Sequence, residues 1–128
     1  VAAAGVVHYD IKADNVLLEA LPGVDPADFW DPKAGEPPFR VVLADFGESK
    51  VFGGGGGASP AGGSTYRNRG TEYIKAPEML TISNADRRDR ATYDRRRRNG
   101  AGAACDVWSA GCLLHEVLSG EFLFYDPD

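Results

Sequence analysis

Asp10, Lys12 and Asn15 fall within a stretch of six residues, and Asp45 follows a short apolar run further along the chain. One chemistry that such side chains could serve is the transfer of a phosphoryl group from ATP to a hydroxyl. That reaction asks little covalent work of a protein. It needs a carboxylate to orient the attacking hydroxyl and take its proton, a cation beside the moving phosphoryl group, and oxygen ligands for magnesium. Asp10, Lys12 and Asn15 supply the three on one polar loop, and Asp45 offers a second magnesium ligand from a separate segment. Gly47 gives the backbone freedom for a sharp turn just beyond it. Each feature alone is weak, because Asp-Phe-Gly arises by chance and a His-x-Asp is commonly a turn or a satisfied polar pair.

The elements that must position these groups alternate between ordered stretches and loops. An Ala-rich helix end is expected at the start, then the polar loop 8–15, then the apolar run Val16, Leu17 and Leu18. Residues 21–38 carry five Pro, three Asp and two Gly and read as a loop or insertion. Arg40 to Ala44 is β-branched and apolar, a short strand that runs directly into Asp45-Phe46-Gly47. Glycine dominates residues 51–63, a composition expected to be mobile because ordering it costs entropy and buries little. Residues 70–80 are compact and dense in motifs, and residues 81–104 are polar, arginine-rich and expected to be flexible. Val107, Ala110, Gly111, Leu114, Val117 and Leu118 then recur at helical spacing. Asp106 stands where an N-cap should be and Gly120 where a C-cap should be, and the broad apolar face predicts a buried helix.

Composition narrows the setting. The chain has 128 residues and room for at most one small domain; it opens without Met or a charged leader, which suggests a piece of a longer protein. No run approaches the roughly 18 apolar residues of a membrane span. Cys105 and Cys112 lack zinc-ligand spacing and fit a reduced, intracellular and cytoplasmic setting. The net charge of −5 divides unevenly: residues 81–104 hold seven Arg against three Asp, a local +4, and the remainder carries −9. An acidic chain with one basic insert is not an obvious nucleic-acid binder; Arg95 to Arg98 read first as a solvated loop, with contact to an acidic partner or nucleic acid as the alternative.

Two further segments complete a pattern. Residues 70–78, Gly-Thr-Glu-Tyr-Ile-Lys-Ala-Pro-Glu, and residues 106–111, Asp-Val-Trp-Ser-Ala-Gly, follow the first two motifs in order. Together the four segments resemble the eukaryotic-type serine/threonine protein kinase family. The resemblance implies an α+β, kinase-like fold: a mainly α-helical C-lobe fragment with one short β pair at the active site, formed by residues 16–18 and 41–44, and no N-lobe. It divides the chain into a catalytic loop at 8–15, a metal-binding motif at 45–47, an activation segment at 45–78, a basic insertion at 81–104 and a large C-lobe helix at 106–119. Within it Asp10 would be the catalytic base, Lys12 would neutralise charge on the transferring phosphate of ATP, and Asn15 and Asp45 would hold Mg2+. Thr71 would bond Asp10 and Lys12, and that Lys and Thr point to protein substrates with Ser or Thr acceptors. His8 would support Asp45-Phe46-Gly47 from below, Phe46 would pack on a neighbouring helix, and Asp106 would cap its helix while holding the catalytic-loop backbone.

The chain also departs from the family pattern. Tyr9 stands where most of the family has an arginine that pairs with an activation-loop phosphate, and a phenol cannot make that charge pair. The glycine-rich phosphate loop, the strand lysine and its glutamate partner would lie before residue 1, and the arginine partner of Glu78 would lie after Tyr125. Glu78 is therefore expected to be left unpaired, and the fragment alone is expected to be inactive. The alternative reading is a pseudokinase or truncated remnant serving as a protein-binding module. Ser64 and Thr65 are phosphosites by position and otherwise solvated loop residues. With Tyr9 in place of arginine, phosphorylating Ser64 or Thr65 is expected to leave the parent protein's activity largely unchanged. A many-fold rise in phosphoryl transfer after phosphorylation at either residue would contradict this.

Overall fold

The computed structural model describes residues 5–30, 35, 37–52, 63, 65, 67–82 and 100–124. Four short strands form two separate antiparallel pairs: β1 (Val6–Val7) with β4 (Lys50–Val51), and β2 (Val16–Ala20) with β3 (Phe39–Leu43). Among the described residues two α-helices follow, the single turn α1 (Pro77–Leu80) and the long α2 (Ala104–Ser119). Three 3-10 turns, at Ala13–Asn15, Pro26–Asp28 and Glu72–Ile74, punctuate the loops. The expectation of a mainly helical piece with one β pair is therefore corrected: among the described residues helices are few and there are two β pairs.

The β2–β3 hairpin is longer than the apolar runs suggested. Its register pairs Val16 with Leu43, Leu17 with Val42, Leu18 with Val41, Glu19 with Arg40 and Ala20 with Phe39. Glu19 and Arg40 carry opposite charges across the ladder and form an ion pair on the exposed surface, the arrangement that favours directly opposed positions. Leu21 N–H donates to Pro38 O at 3.1 Å, extending the pairing into what composition marked as a loop. Asp25 then caps the turn Pro26–Asp28, accepting Ala27 N–H at 2.9 Å with Pro at the first position. Phe29 and Trp30 close onto Phe39, with ring centroids 5.2 and 6.2 Å away. At the opposite end Ala44 N–H donates to Asn15 O at 2.8 Å, so the hairpin delivers Asn15 and Asp45 from adjacent strands.

The β1–β4 pair was not anticipated, because two residues per strand carry no periodic signal. Val6 and Val7 are strand where a helix end was expected, and residues 1–4 lie outside the described set. Phe52 N–H donates to Gly5 O at 2.6 Å, and a Cβ on Gly5 would sit 2.6 Å from Phe52 O. With φ of +69° as well, the position accepts only glycine.

The core gathers Val7, Tyr9, Ala76, Met79, Ile82, Ala101 and Cys105, with Phe52 and Ala103 packed against it. It lies where β1, the loop 8–15, α1 and the start of α2 meet. Helix α2 faces this core with Cys105, Ser109 and Cys112, a narrow stripe of small residues at helical spacing. Ser109 Oγ donates to Ile74 O at 2.8 Å and fixes the helix against the 3-10 turn Glu72–Ile74. The expected buried face is overturned. Val107 is 74% exposed and Leu118 78%, and Leu114 and Val117 are exposed as well. Small residues, not large ones, allow the close approach of α2 to the 70–82 segment, and this turns the larger apolar side chains outward.

The helix ends show one agreement and one correction. Gly120 adopts φ of +76° and its N–H bonds Glu116 O at 2.8 Å, a left-handed C-cap. The N-cap is Ala103, without a side-chain cap, and Asp106 sits in the first turn. Its carboxylate is spent elsewhere: Oδ2 accepts His8 N–H and Oδ1 accepts Tyr9 N–H, each at 2.8 Å. An Asp106→Ala substitution removes both charge-assisted acceptors, so unfolding free energy is expected to fall by about 3 kcal/mol, with Asp106→Asn intermediate because it keeps one acceptor. Denaturant titration of the three proteins measures this; an Ala variant as stable as the parent would contradict the assignment.

Candidate active site

The loop 8–15 is held in an unusual backbone shape. Tyr9 has φ of +66° and Asp45 +55°, both in the left-handed region that disfavours residues bearing a Cβ. At Tyr9 this shape is stabilised by the two bonds to Asp106 and by close approach from the other side. Gly70, at φ +80°, lies so near that a Cβ there would come within 2.1 Å of Tyr9 O.

Asp10 is buried, and every group around its carboxylate donates to it. Thr71 N–H and Thr71 Oγ1–H reach Oδ1 at 3.0 and 2.7 Å. Asn15 Nδ2 reaches Oδ2 at 3.1 Å and Asp10 O at 2.9 Å. Lys12 Nζ lies 3.5 Å from Oδ2 and donates to Thr71 Oγ1 at 2.9 Å. The single hydroxyl of Thr71 thus donates to Asp10 and accepts from Lys12. The 3-10 turn Ala13–Asn15, closed by Asn15 N–H to Lys12 O at 3.0 Å, brings Asn15 back over Asp10.

His8 is fully buried, with Nε2 at 2.9 Å from Ala44 O and Nδ1 accepting Asp10 N–H at 3.3 Å. A carbonyl can only accept, so the hydrogen-bond pattern assigns the proton to Nε2. The imidazole packs edge-on against Phe46 with centroids 4.8 Å apart. Phe46 rests on His8 and half of it is exposed; among the described residues no helix packs on it. Gly47 N–H donates to Asp45 Oδ1 at 3.1 Å, and Ser49 N–H bonds Phe46 O at 3.0 Å to close the turn.

The donor chemistry fits magnesium. Asn15 commits its Nδ2 to Asp10 and leaves its amide oxygen for other use, and Asp45 is exposed. Hard oxygens from one amide and one carboxylate suit an ion that takes few protein ligands and fills its shell with phosphate and water. Among the described residues no three His, Cys, Asp or Glu side chains converge as a metal cluster.

Three further positions differ from the sequence reading. Glu78 is half-buried and has a partner, since Cys105 Sγ–H donates to its Oε1 at 3.3 Å. Thr65 is 2% exposed rather than solvated, and its Oγ1 accepts from Arg67 N–H at 3.2 Å and Arg69 Nε at 3.4 Å. Arg69, which no motif singled out, reaches Glu48 O at 2.9 Å and lies 3.6 Å from the Glu48 carboxylate, linking the segment before Thr71 to the residue after Gly47. Ser64, Arg95 to Arg98, Tyr125 and most of the glycine-rich stretch lie outside the described residues.

Comparison with known proteins supplies the family. Residues 2–128 match the protein kinase domain. Over 122 residues, 94% of the chain, it is 50% identical to a probable serine/threonine-protein kinase of Dictyostelium discoideum, of which it covers 5%. It is 32% identical over 98% of its length to a probable myosin light chain kinase of the same organism, covering 28% of that protein. It is also 31% identical over 94% of its length to human mitogen-activated protein kinase kinase kinase 5, covering 6% of it. The chain belongs to the protein kinase domain family. It spans between 5% and 28% of the length of these relatives.

Burial, with the Glu78 carboxylate adding to it, pushes the Cys105 thiol up to about 12 from 9.0. Burial likewise pushes the Tyr9 phenol well above its ordinary value. A raised pKa means that the unfolded chain releases its proton first as pH climbs. Their contribution to stability is complete below about pH 9 and is lost as pH rises towards 12. Unfolding free energy is expected to fall between pH 9 and 11, at up to about 1.4 kcal/mol per pH unit for each proton, and less steeply in Cys105→Ala. Denaturation at a series of pH values tests this; equal slopes for both proteins would exclude Cys105 as a source.

Proposed function

We propose that the protein carrying this chain transfers the γ-phosphoryl group of ATP to Ser and Thr hydroxyls of protein substrates, and that this chain supplies the catalytic loop. The observation that carries the reading is the closed triangle of Asp10, Lys12 and Thr71. Asp10 is the base: its carboxylate orients an incoming hydroxyl and takes its proton. The donors from Thr71 and Asn15 hold that carboxylate in one orientation, so little reorganisation is needed when the hydroxyl arrives. Lys12, fixed by Thr71, places positive charge where negative charge builds on the transferred group. Asn15 and Asp45 would hold magnesium, which when bound would neutralise charge on the phosphate oxygens. His8, Phe46, Gly47 and Asp106 set the positions of these groups.

The Lys12–Thr71 pairing supports serine and threonine as acceptors, following the family resemblance. The identity of one relative as a probable serine/threonine-protein kinase supports the same choice. Two free thiols, Cys105 and Cys112, support an intracellular setting.

Phosphoryl transfer from Mg-ATP to a generic Ser/Thr protein substrate, measured for the full-length protein beside Asp10→Asn, tests the reading. The variant is expected to lose about 100-fold or more in turnover, the usual contribution of a positioned base. No transfer from either form, with both folded, would replace this reading with that of a non-catalytic binding module.

A further inference from the structure

Tyr9 occupies the position at which the family resemblance expects a phosphate-pairing arginine, and the structure shows what the phenol does there. Its ring is buried among Val7, Ala76, Met79, Ile82 and Cys105 and meets Phe52 edge-on at 6.5 Å. Its hydroxyl donates to Ala101 O at 2.6 Å. That same carbonyl accepts Thr65 N–H at 2.7 Å, and Ala101 N–H returns to Thr65 O at 3.0 Å, a two-bond bridge between the activation segment and the stretch leading into α2. Ala101 is fully buried, so nothing in solvent competes for its oxygen.

We propose that Tyr9 is a positioning residue whose hydroxyl tethers the activation segment to the catalytic loop through the Ala101–Thr65 bridge. The proposal rests on the phosphoryl-transfer reading above. The segment from Thr65 to Thr71 is pinned to the loop at both ends. At one end the phenol holds Ala101 and, through it, Thr65; at the other, Gly70 abuts the Tyr9 carbonyl and Thr71 bonds Asp10. Between them Arg69 ties the segment to Glu48, next to Asp45-Phe46-Gly47. A neutral donor suits this enclosure. A guanidinium placed among these apolar side chains would need an anion beside it, and the hydroxyl of Thr65 is buried and already accepting from Arg67 and Arg69. The tether is therefore permanent, where a phosphate clamp would be conditional.

Tyr9→Phe removes the hydroxyl and keeps the ring against Phe52. In the full-length protein, amide hydrogen exchange at Thr65 and Ala101 is expected to quicken about tenfold, as for loss of one buried hydrogen bond, while β2–β3 amides keep their rates. Turnover is expected to fall by a similar factor at unchanged KM for ATP, and Tyr9→Arg is expected not to restore it. Unchanged exchange at Thr65 and Ala101 would overturn the tether. An equal rise across β2–β3 would also overturn it, by making the phenol a general core group. Faster exchange with undiminished turnover would overturn the positioning role. A parent protein with no transfer at all would overturn the kinase reading alone, because the exchange measurement still decides the tether.

Discussion

One carboxylate on α2 accepts the main-chain N–H groups of His8 and Tyr9, across 98 and 97 residues of sequence. Tyr9 lies in the left-handed region, a conformation that costs a non-glycine residue about 1–2 kcal/mol. Two short bonds to a charged acceptor offset that cost. The bend at Tyr9 then has several effects at once. It places the His8 imidazole under Ala44 and Phe46, sends the Tyr9 ring into the core, and turns the Asp10 carboxylate towards Thr71 and Asn15. Without the anchor on α2, each of these groups would have to find its place separately.

Precision at Asp10 comes from segments that are themselves braced. Thr71 is delivered by a turn fixed to α2 through Ser109, and Asn15 by a hairpin stitched at Ala44. The absence of a Cβ at Gly70 is what permits the two loops to touch. The site is thus built where four separate stretches of chain meet, and its polar groups satisfy one another: no buried side-chain nitrogen or oxygen among the described residues lacks a partner. Such closure matters because a half-satisfied buried network is less stable than an apolar one.

Much of this was legible in the sequence, and the exceptions have physical causes. The strand before Asp45 and the Gly120 cap announced themselves by local chemistry, β-branched residues and a glycine suited to positive φ. The β1–β4 pair could not be read, since two-residue strands are specified by their partners rather than by any pattern of their own. Asp106 satisfied the rule for an N-cap, yet long-range demand from His8 and Tyr9 outweighed local capping. The burial of α2 was misjudged because periodicity identifies an apolar face without saying which neighbour it meets; Cys105, Ser109 and Cys112 made the contact instead. Arg69 gave no signal and Thr65 only that of a loop hydroxyl, because their importance lies in Glu48 and Ala101, far away along the chain.

The span between His8 and Asp106 has a temporal side. A ribosome releases the chain from its N-terminus at about 5–20 residues per second. The β2–β3 hairpin can close while synthesis proceeds, because its partners lie close together in sequence. The loop bearing Asp10 cannot. Its anchor emerges almost a hundred residues later, so for several seconds Asp10, Lys12 and Asn15 exist as a loop without a shape. The loop bearing Asp10 therefore takes its shape only once α2 docks.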